Sequence, residues 1–122
     1  MAKIVNDLVL DAALNYIKSN ANLMALCSQQ PTTRTEAATT YKLADVAMAS
    51  GDFVIANGDT SGRKVTVAAK SGVPVVATGT GNHVALMDAT NLLYVTTCTA
   101  QAVGAGGTVD FGSWKIEIAD PA

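Results

Sequence analysis

A cysteine beside a histidine is the arrangement in this chain that could supply a covalent nucleophile. An imidazole that activates a neighbouring thiol is a common device in hydrolases. The chain has one histidine, His83, and two cysteines, Cys27 and Cys98. Neither cysteine has flanking residues that mark it as exposed or activated. The pattern therefore favours two buried, apolar, unpaired cysteines and a surface or hydrogen-bonded histidine over a catalytic pair.

Paired carboxylates are the second chemistry to consider, because glycoside hydrolysis needs two of them facing each other across a cleft. The chain has two glutamates, Glu36 in a polar stretch and Glu117 on the outer face of a predicted strand. Asp59 and Asp88 stand at predicted turns, where aspartate usually bonds the local backbone. The two aspartate pairings that the sequence leaves open are Asp52 with Asp59 and Asp88 with Asp110. The turn interpretation is favoured for both.

Phosphate and metal sites have more specific patterns, and residues 57–64 come nearest to one. Three residues separate Gly58 from Gly62, and Arg63 and then a strand follow, whereas a P-loop has four residues between its glycines and precedes a helix. A calcium loop needs several oxygen ligands at set intervals, and the cysteines lack metal-ligand spacing. We therefore predict no catalytic, cofactor-binding or metal-ligating residue, and no enzyme activity.

Composition narrows the class of partner. Apolar residues make up 49% of the 122 residues and charged residues 15%, against about 25% charged in ordinary globular domains. Such a surface is inexpensive to desolvate against another protein. The net charge is -2 and arginines and lysines do not cluster, which argues against nucleic acid. No apolar stretch reaches the ~18 residues of a membrane span, and Asp7 and Asp11 interrupt the first one, so we expect a soluble protein made in the cytoplasm.

The elements that would position these side chains begin with a helix over residues 1–20, best defined in 3–19. One apolar stripe consists of Leu10, Ala13, Leu14 and Ile17 at helical spacing. A second stripe beside it consists of Val5, Val9, Ala12 and Tyr16. The apolar arc is wide, so we expect the helix to be buried on more than one side, including against a neighbouring subunit.

Beyond residue 20 the period changes to that of strands. We predict a buried strand at 23–27, a surface excursion at 31–40 with a helical turn near 35–38, and an edge strand or loop at 41–49. Later strands are predicted at 52–56, 64–69, 73–80, 83–88, 92–99 and 108–111, with Asn57-Gly58 and Gly79 to Gly81 as turns. In the last strand Trp114, Ile116 and Ile118 face inward.

The order of these elements predicts a fold class. Short strands with glycine-rich turns and no intervening helices favour an antiparallel β-sandwich or barrel. We predict a mainly β protein that is a single domain over residues 1–122. Its N-terminal α-helix covers residues 1–20, and a jelly-roll-like β-sandwich covers residues 21–122.

Several segments together resemble a family. The helix LVLDAALNYIKSNA, the stretch LMALCSQQPTTRTEA, the turn GDTSGRK, the pair HVALMD and LLYVTTC, and the closing WKIEIADPA resemble small virion proteins of tailed bacteriophages. The resemblance covers residues 8–122, and GDTSGRK and the HVALMD–LLYVTTC pair are its most specific parts. Members look like head decoration, or cement, proteins. The resemblance implies many copies on the capsid exterior, and contacts with a major capsid protein and with other copies. It also implies a homo-oligomer, with a trimer as the expected form, and no catalytic residues.

The contact residues expected from this interpretation lie in three places. They are the N-terminal segment Met1, Ala2, Lys3 and Ile4, then Arg34 with its loop, and then the loop of Asp59 and Arg63. Arginine suits interfaces because its planar fork binds carboxylates bidentately. The sequence fits equally well with Arg34 and Arg63 being solvent-exposed loop residues that bind no partner. The interface and the solvent-exposed interpretations both stay open.

Two other classes of function remain open. One is a tail or head–tail connector component, which would form rings instead of sitting on the shell. The other is a carbohydrate-binding jelly roll, which needs exposed aromatic rings to stack on sugars. The aromatic share is 5%, and Trp114 falls on the predicted inner face of its strand, so the sequence disfavours sugar binding.

Overall fold

The computed structural model describes residues 5–120. Its N-terminal α-helix, α1, spans Asp7–Asn20, and the side chain of Asn6 caps it by accepting a hydrogen bond from the Leu8 N–H at 2.8 Å. The predicted helix is confirmed from Asp7 onwards, but Val5 and Asn6, which the prediction included, lie before its first turn. Leu10 and Leu14 are buried, as the first apolar stripe predicts, whereas Ala13 of that stripe is exposed.

Nine strands follow the helix in the described residues. They are β1 Leu23–Cys27, β2 Lys42–Ala47, β3 Phe53–Asn57, β4 Arg63–Val67, β5 Lys70–Pro74, β6 Gly79–Met87, β7 Leu92–Val103, β8 Thr108–Phe111 and β9 Trp114–Ile118. All strand pairs are antiparallel. A four-stranded sheet has the order β2-β1-β6-β7, a three-stranded sheet β3-β4-β9, and a two-stranded sheet β5-β8. The protein is therefore mainly β with antiparallel sheets and an N-terminal helix, as predicted.

One large core holds these elements together. Leu14 of α1, Leu86 of the four-stranded sheet, and Phe53 and Val65 of the three-stranded sheet are all fully buried in it. Val109 of the two-stranded sheet joins the same cluster. Burying side chains of this size removes their apolar surface from water, at roughly 25 cal/mol per Å². The helix and the three sheets consequently depend on one shared interior.

A second, smaller core lies around Cys27 and Met87, whose side chains are fully buried. The segment predicted as a surface excursion belongs to it, because it forms a π-helical turn over Glu36–Thr40 and buries Ala37 completely. The helical turn is thus present near its predicted position. The segment is not a free loop, since Ala37 packs with the buried cysteine.

The strand boundaries differ from the sequence expectation where glycines occur. Gly79 and Gly81 lie inside β6 and not in a turn. A Cβ on Gly81 would stand 2.5 Å from the Leu26 side chain, so the glycine makes room for a neighbouring strand. The turn after β3 takes its positive φ at Gly62, at 68°, and not at Asn57 or Gly58. The expected strand at 73–80 is interrupted, because β5 ends at Pro74.

Other expectations about strand faces were partly right. In β9 Ile116 is buried while Lys115 and Glu117 are exposed, which confirms the alternation. Val65 and Val67 of β4 are buried, but Ala69 lies beyond the strand and is exposed. The predicted edge strand near residues 41–49 is β2, at one end of the four-stranded sheet. Within residues 5–120, no helix has the length and apolar character that crossing a bilayer requires.

Candidate interaction surface

The outer side of α1 carries an uncharged apolar surface, which we call the helix face. It consists of Leu8, Val9, Ala12, Ala13 and Tyr16, all exposed. Leu8 is 76% exposed, Val9 62% and Tyr16 52%. Large apolar side chains grouped on one helix are a frequent sign of a protein contact. This face includes most of the second apolar stripe seen in the sequence.

Two charged residues of α1 are turned towards the protein and fix the orientation of the helix. Arg63 of β4 donates its Nε–H to Oδ1 of Asp11 across 2.8 Å. Lys18 donates to the carbonyl oxygens of Phe53 at 2.7 Å and Ser50 at 2.9 Å. These contacts occupy the charged groups on the inner side of α1. The helix face is thereby left without a charge of its own.

The predicted contact residue Arg34 lies beside the end of β6. Its Nε–H donates to the Asp88 carbonyl oxygen at 2.7 Å, and its side chain is half-buried. The Asp88 carboxylate accepts hydrogen bonds from the N–H groups of Thr90 and Asn91, which lower its pKa. Arg34 thus joins the segment before the π-helical turn to the β6–β7 connection. Met1, Ala2, Lys3 and Ile4, also predicted as contacts, lie outside the described residues.

Asp59 lies in the loop between β3 and β4, whereas Arg63, which was predicted to lie in the same loop, is the first residue of β4. The Asp59 carboxylate accepts from Lys115 of β9 and, at 2.5 Å, from Lys64 of β4. These two ammonium groups lower the pKa of Asp59 to about 2. Arg63 binds Asp11 and also donates to Asn57 at 2.8 Å, and the bond to Asp11 raises its pKa. Both predicted residues therefore make contacts within the protein, and only Arg63 contacts α1.

The cysteine–histidine arrangement has no activated thiol. Cys27 and His83 face each other across β1 and β6. The Cys27 thiol lies 3.8 Å from the Ala37 carbonyl oxygen, however, and His83 Nδ1 lies 2.6 Å from Oδ1 of Asn82. Burial raises the pKa of Cys27 to about 11, so its thiol stays protonated at neutral pH.

Cys98 differs from its prediction. It was expected to be buried, but it is exposed on β7, and partial burial still raises its pKa. Both cysteines are free, as the sequence favoured. Residues 5–120 contain no group of three His, Cys, Asp or Glu side chains arranged to hold a metal ion.

A cavity of about 370 Å³ opens between β7 and the strands β8 and β9. Its walls include Leu26, Thr96, Phe111 and Trp114. The Trp114 ring stacks on Tyr94 with centroids 5.9 Å apart, and its Nε1 is buried without an acceptor among the described residues. Because the indole is half-buried against Tyr94, it does not offer the free aromatic platform that sugar stacking requires.

The outer edge of β7 is a feature that the sequence reasoning missed. β7 ends the four-stranded sheet, and residues 97–102 are exposed. The sequence does show that this strand lacks the usual protection of an edge, because residues 92–103 contain neither a charged residue nor a proline. The sequence predicts a strand there, but its place at the end of the sheet depends on the strand order.

Comparisons with known proteins found no similar protein. No family model matches the chain, and neither the curated proteins nor the solved structures include a match.

Proposed function

We propose that this protein is a non-enzymatic capsid decoration protein of a tailed bacteriophage. It binds the exterior of the assembled head and bridges major capsid protein subunits, which stabilises the shell. The family proposal comes from the sequence resemblance over residues 8–122. The structural observation that supports a binding role is the exposed, uncharged helix face.

The helix face suits a permanent protein contact for a physical reason. Leu8, Val9 and Tyr16 each expose more than half of their surface, so a partner that covers them removes a large apolar area from water. No charge on this face has to be desolvated, because Asp11 and Lys18 are engaged elsewhere.

The proposed mechanism is linkage. A protein that binds the assembled shell and not its separated subunits shifts the equilibrium towards the shell by mass action. The Asp11–Arg63 and Lys18 contacts hold α1 against β3 and β4, so little conformational freedom is lost when the helix face docks. Stabilisation then needs neither a cofactor nor a chemical step.

We also propose that the sheets stack as a β-sandwich. The shared core supports it, since Leu86 and Val84 of the four-stranded sheet join one cluster with Val65 of the three-stranded sheet. The stacking of Tyr94 of β7 on Trp114 of β9 links the same two sheets. The jelly-roll strand connectivity stays a prediction.

The experiment uses decoration-free heads mixed with three forms of the purified protein. Val9→Glu places a charge in the helix face, and Thr108→Glu places the same charge at an exposed position of β8, away from the helix. We expect wild type and Thr108→Glu to raise the temperature at which the heads rupture, and Val9→Glu to have no effect. Cryo-electron microscopy of the wild-type mixture should show regular density over the shell with α1 against capsid.

Two results would contradict this function. An unchanged rupture temperature with wild-type protein rejects stabilisation of the shell. Density confined to the portal or the tail, on bare heads, rejects decoration and supports the tail or connector alternative. Equal binding by Val9→Glu and wild type would be consistent with decoration but would show that the helix face is not the contact.

A further inference from the structure

The long edge strand β7 has an unpaired side. Among residues 5–120, β6 is the one strand that pairs with β7, and it contacts a single side of the twelve-residue strand. Alternate residues of β7 consequently direct their N–H and C=O groups away from the sheet. The groups that satisfy such a row are those of another extended backbone.

The opposite edge of the same sheet is protected. Val76 and Ala77 donate backbone hydrogen bonds to the Leu43 carbonyl oxygen at 2.8 and 3.3 Å, so this chain already occupies part of the outer side of β2. Lys42 and Asp45 add an ion pair at 3.1 Å to that short strand. Covering segments and edge charges are the usual means of preventing unwanted strand pairing. β7 has neither of these protections, since it carries no charge and no proline, and no other segment within residues 5–120 forms backbone hydrogen bonds with its outer side.

We propose that β7 pairs antiparallel with β7 of a second copy of this chain, across a two-fold axis. A two-fold axis pairs the same edge of both copies, so β7 can supply both sides of the contact, whereas β2 is partly covered by its own chain. Two identical uncharged strands meet without charge repulsion, which favours a second copy over a charged partner strand. The resulting sheet runs continuously through both copies, and the assembly is a dimer and not the trimer expected from the resemblance.

The pairing is centred on the regular half of β7. Opposite Asn82 of β6, three residues of β7 take the place of one, because Thr97 pairs with His83 and Gln101 pairs with Gly81. Such a bulge bends a strand and interrupts a ladder. Residues 94–97 pair with β6 in regular register, after an irregularity at Leu93, and they include Tyr94 and Val95, which favour cross-strand packing.

Sedimentation velocity on the full chain alone tests this dimer, independently of capsid binding. Thr97→Lys introduces a charge into the open edge, and Thr108→Lys introduces the same charge at an exposed position of β8. We expect wild type and Thr108→Lys to form a dimer. The dissociation constant of the Thr97→Lys dimer should be higher by roughly tenfold or more. Circular dichroism of each variant confirms that it is folded.

Hydrogen exchange distinguishes β7 pairing from another dimer contact. In the dimer, consecutive amides of residues 92–97 should be protected, whereas in Thr97→Lys every second amide should exchange rapidly. A wild-type protein that stays monomeric at every concentration rejects the proposal. A dimer in which alternate β7 amides still exchange rapidly also rejects it, because that dimer forms elsewhere.

Discussion

Arg63 and Asp11, separated by 52 positions in the chain, join the helix to the sheet through one short ion pair. The Arg63 Nε–H donates to Asp11 Oδ1 at 2.8 Å, and Nη2 lies 3.4 Å from Oδ2. Both side chains are about one-fifth exposed, at 19% and 21%. The pair therefore sets the angle at which α1 lies on β4. It also keeps the Asp11 charge away from the helix face.

The first prediction concerns this ion pair. Asp11→Ala and Arg63→Ala should each lower the midpoint of thermal unfolding, because each leaves a partly buried charge without its partner. The double variant should lose less than the sum of the two, since the second substitution removes a charge that is already unpaired. Calorimetry on the four proteins measures this coupling. Additive losses would show that the pair contributes no interaction energy.

The buried and exposed leucines of α1 give a matched comparison. Leu14 is fully buried and Leu8 is 76% exposed. Leu14→Ala should reduce the free energy of unfolding by about 2–5 kcal/mol, because it leaves a cavity in the main core. Leu8→Ala should change it by less than about 0.5 kcal/mol. Urea unfolding measures both values, and equal losses would mean that the helix face is covered in the isolated protein.

Acid should weaken the fold partly through Asp59. Lys115 and Lys64 lower its pKa from 3.8 to about 2. When folding lowers the pKa of a carboxyl group, the ionised group stabilises the folded protein at pH values above the pKa that the group has in the unfolded chain. This stabilisation is lost as the pH falls through the pKa of the folded state. Stability should therefore decrease between about pH 4 and pH 2. Urea midpoints across that range measure it.

The matched variants separate Asp59 from the other carboxyl groups. Asp59→Asn should reduce the loss of stability between about pH 4 and pH 2. Asp7→Asn should leave this pH dependence closer to that of wild type, because it removes an exposed carboxylate that makes no ion pair in the described structure. Some acid sensitivity should remain, because Glu36, Asp52 and Asp88 also have lowered pKa values. An acid limb identical to wild type in Asp59→Asn would contradict the role of the two lysines.

The two cysteines should differ in accessibility. Cys98 is exposed and Cys27 is fully buried with a pKa raised to about 11. A maleimide reagent should modify one thiol in the folded protein and two after denaturation, and mass spectrometry should place the first on Cys98. Cys98→Ser should abolish the native reaction. Rapid modification of Cys27 in folded protein would show that the π-helical turn over it opens readily.

Local patterns in the sequence predicted local structure well. The alternation around Ile116 predicted β9 because successive side chains of a strand point to opposite faces. The turn prediction for Gly81 is wrong because a glycine is needed there to leave room for the Leu26 side chain, and the two residues become neighbours only after folding. Cys98 was misplaced because exposure depends on which strand ends the sheet. Strand order and long-range partners are tertiary properties, and no spacing in one sequence encodes them directly.

The candidate surface was predictable to a similar degree. The wide apolar arc of α1 predicted a second contact, and the helix face has the exposure that such a contact needs. Arg34 and Arg63 were chosen by residue type, but type does not reveal that Asp88 and Asp11 engage them. The closed edge at β2 and the open edge at β7 became distinguishable only once the sheet order was known.

The last prediction concerns Trp114, whose buried Nε1 has no acceptor among the described residues. An unsatisfied buried donor costs about 1–3 kcal/mol. Trp114→Phe removes this donor and keeps a ring against Tyr94, so we expect it to change the free energy of unfolding little. Trp114→Leu loses the aromatic stack as well, which is worth about 0.5–1.5 kcal/mol beyond the buried area, and should be clearly less stable than Trp114→Phe. Because Trp114 is the single tryptophan, unfolding is followed by circular dichroism. Equal destabilisation by both substitutions would show that the indole N–H is satisfied by water and that the stack with Tyr94 adds nothing to the packing.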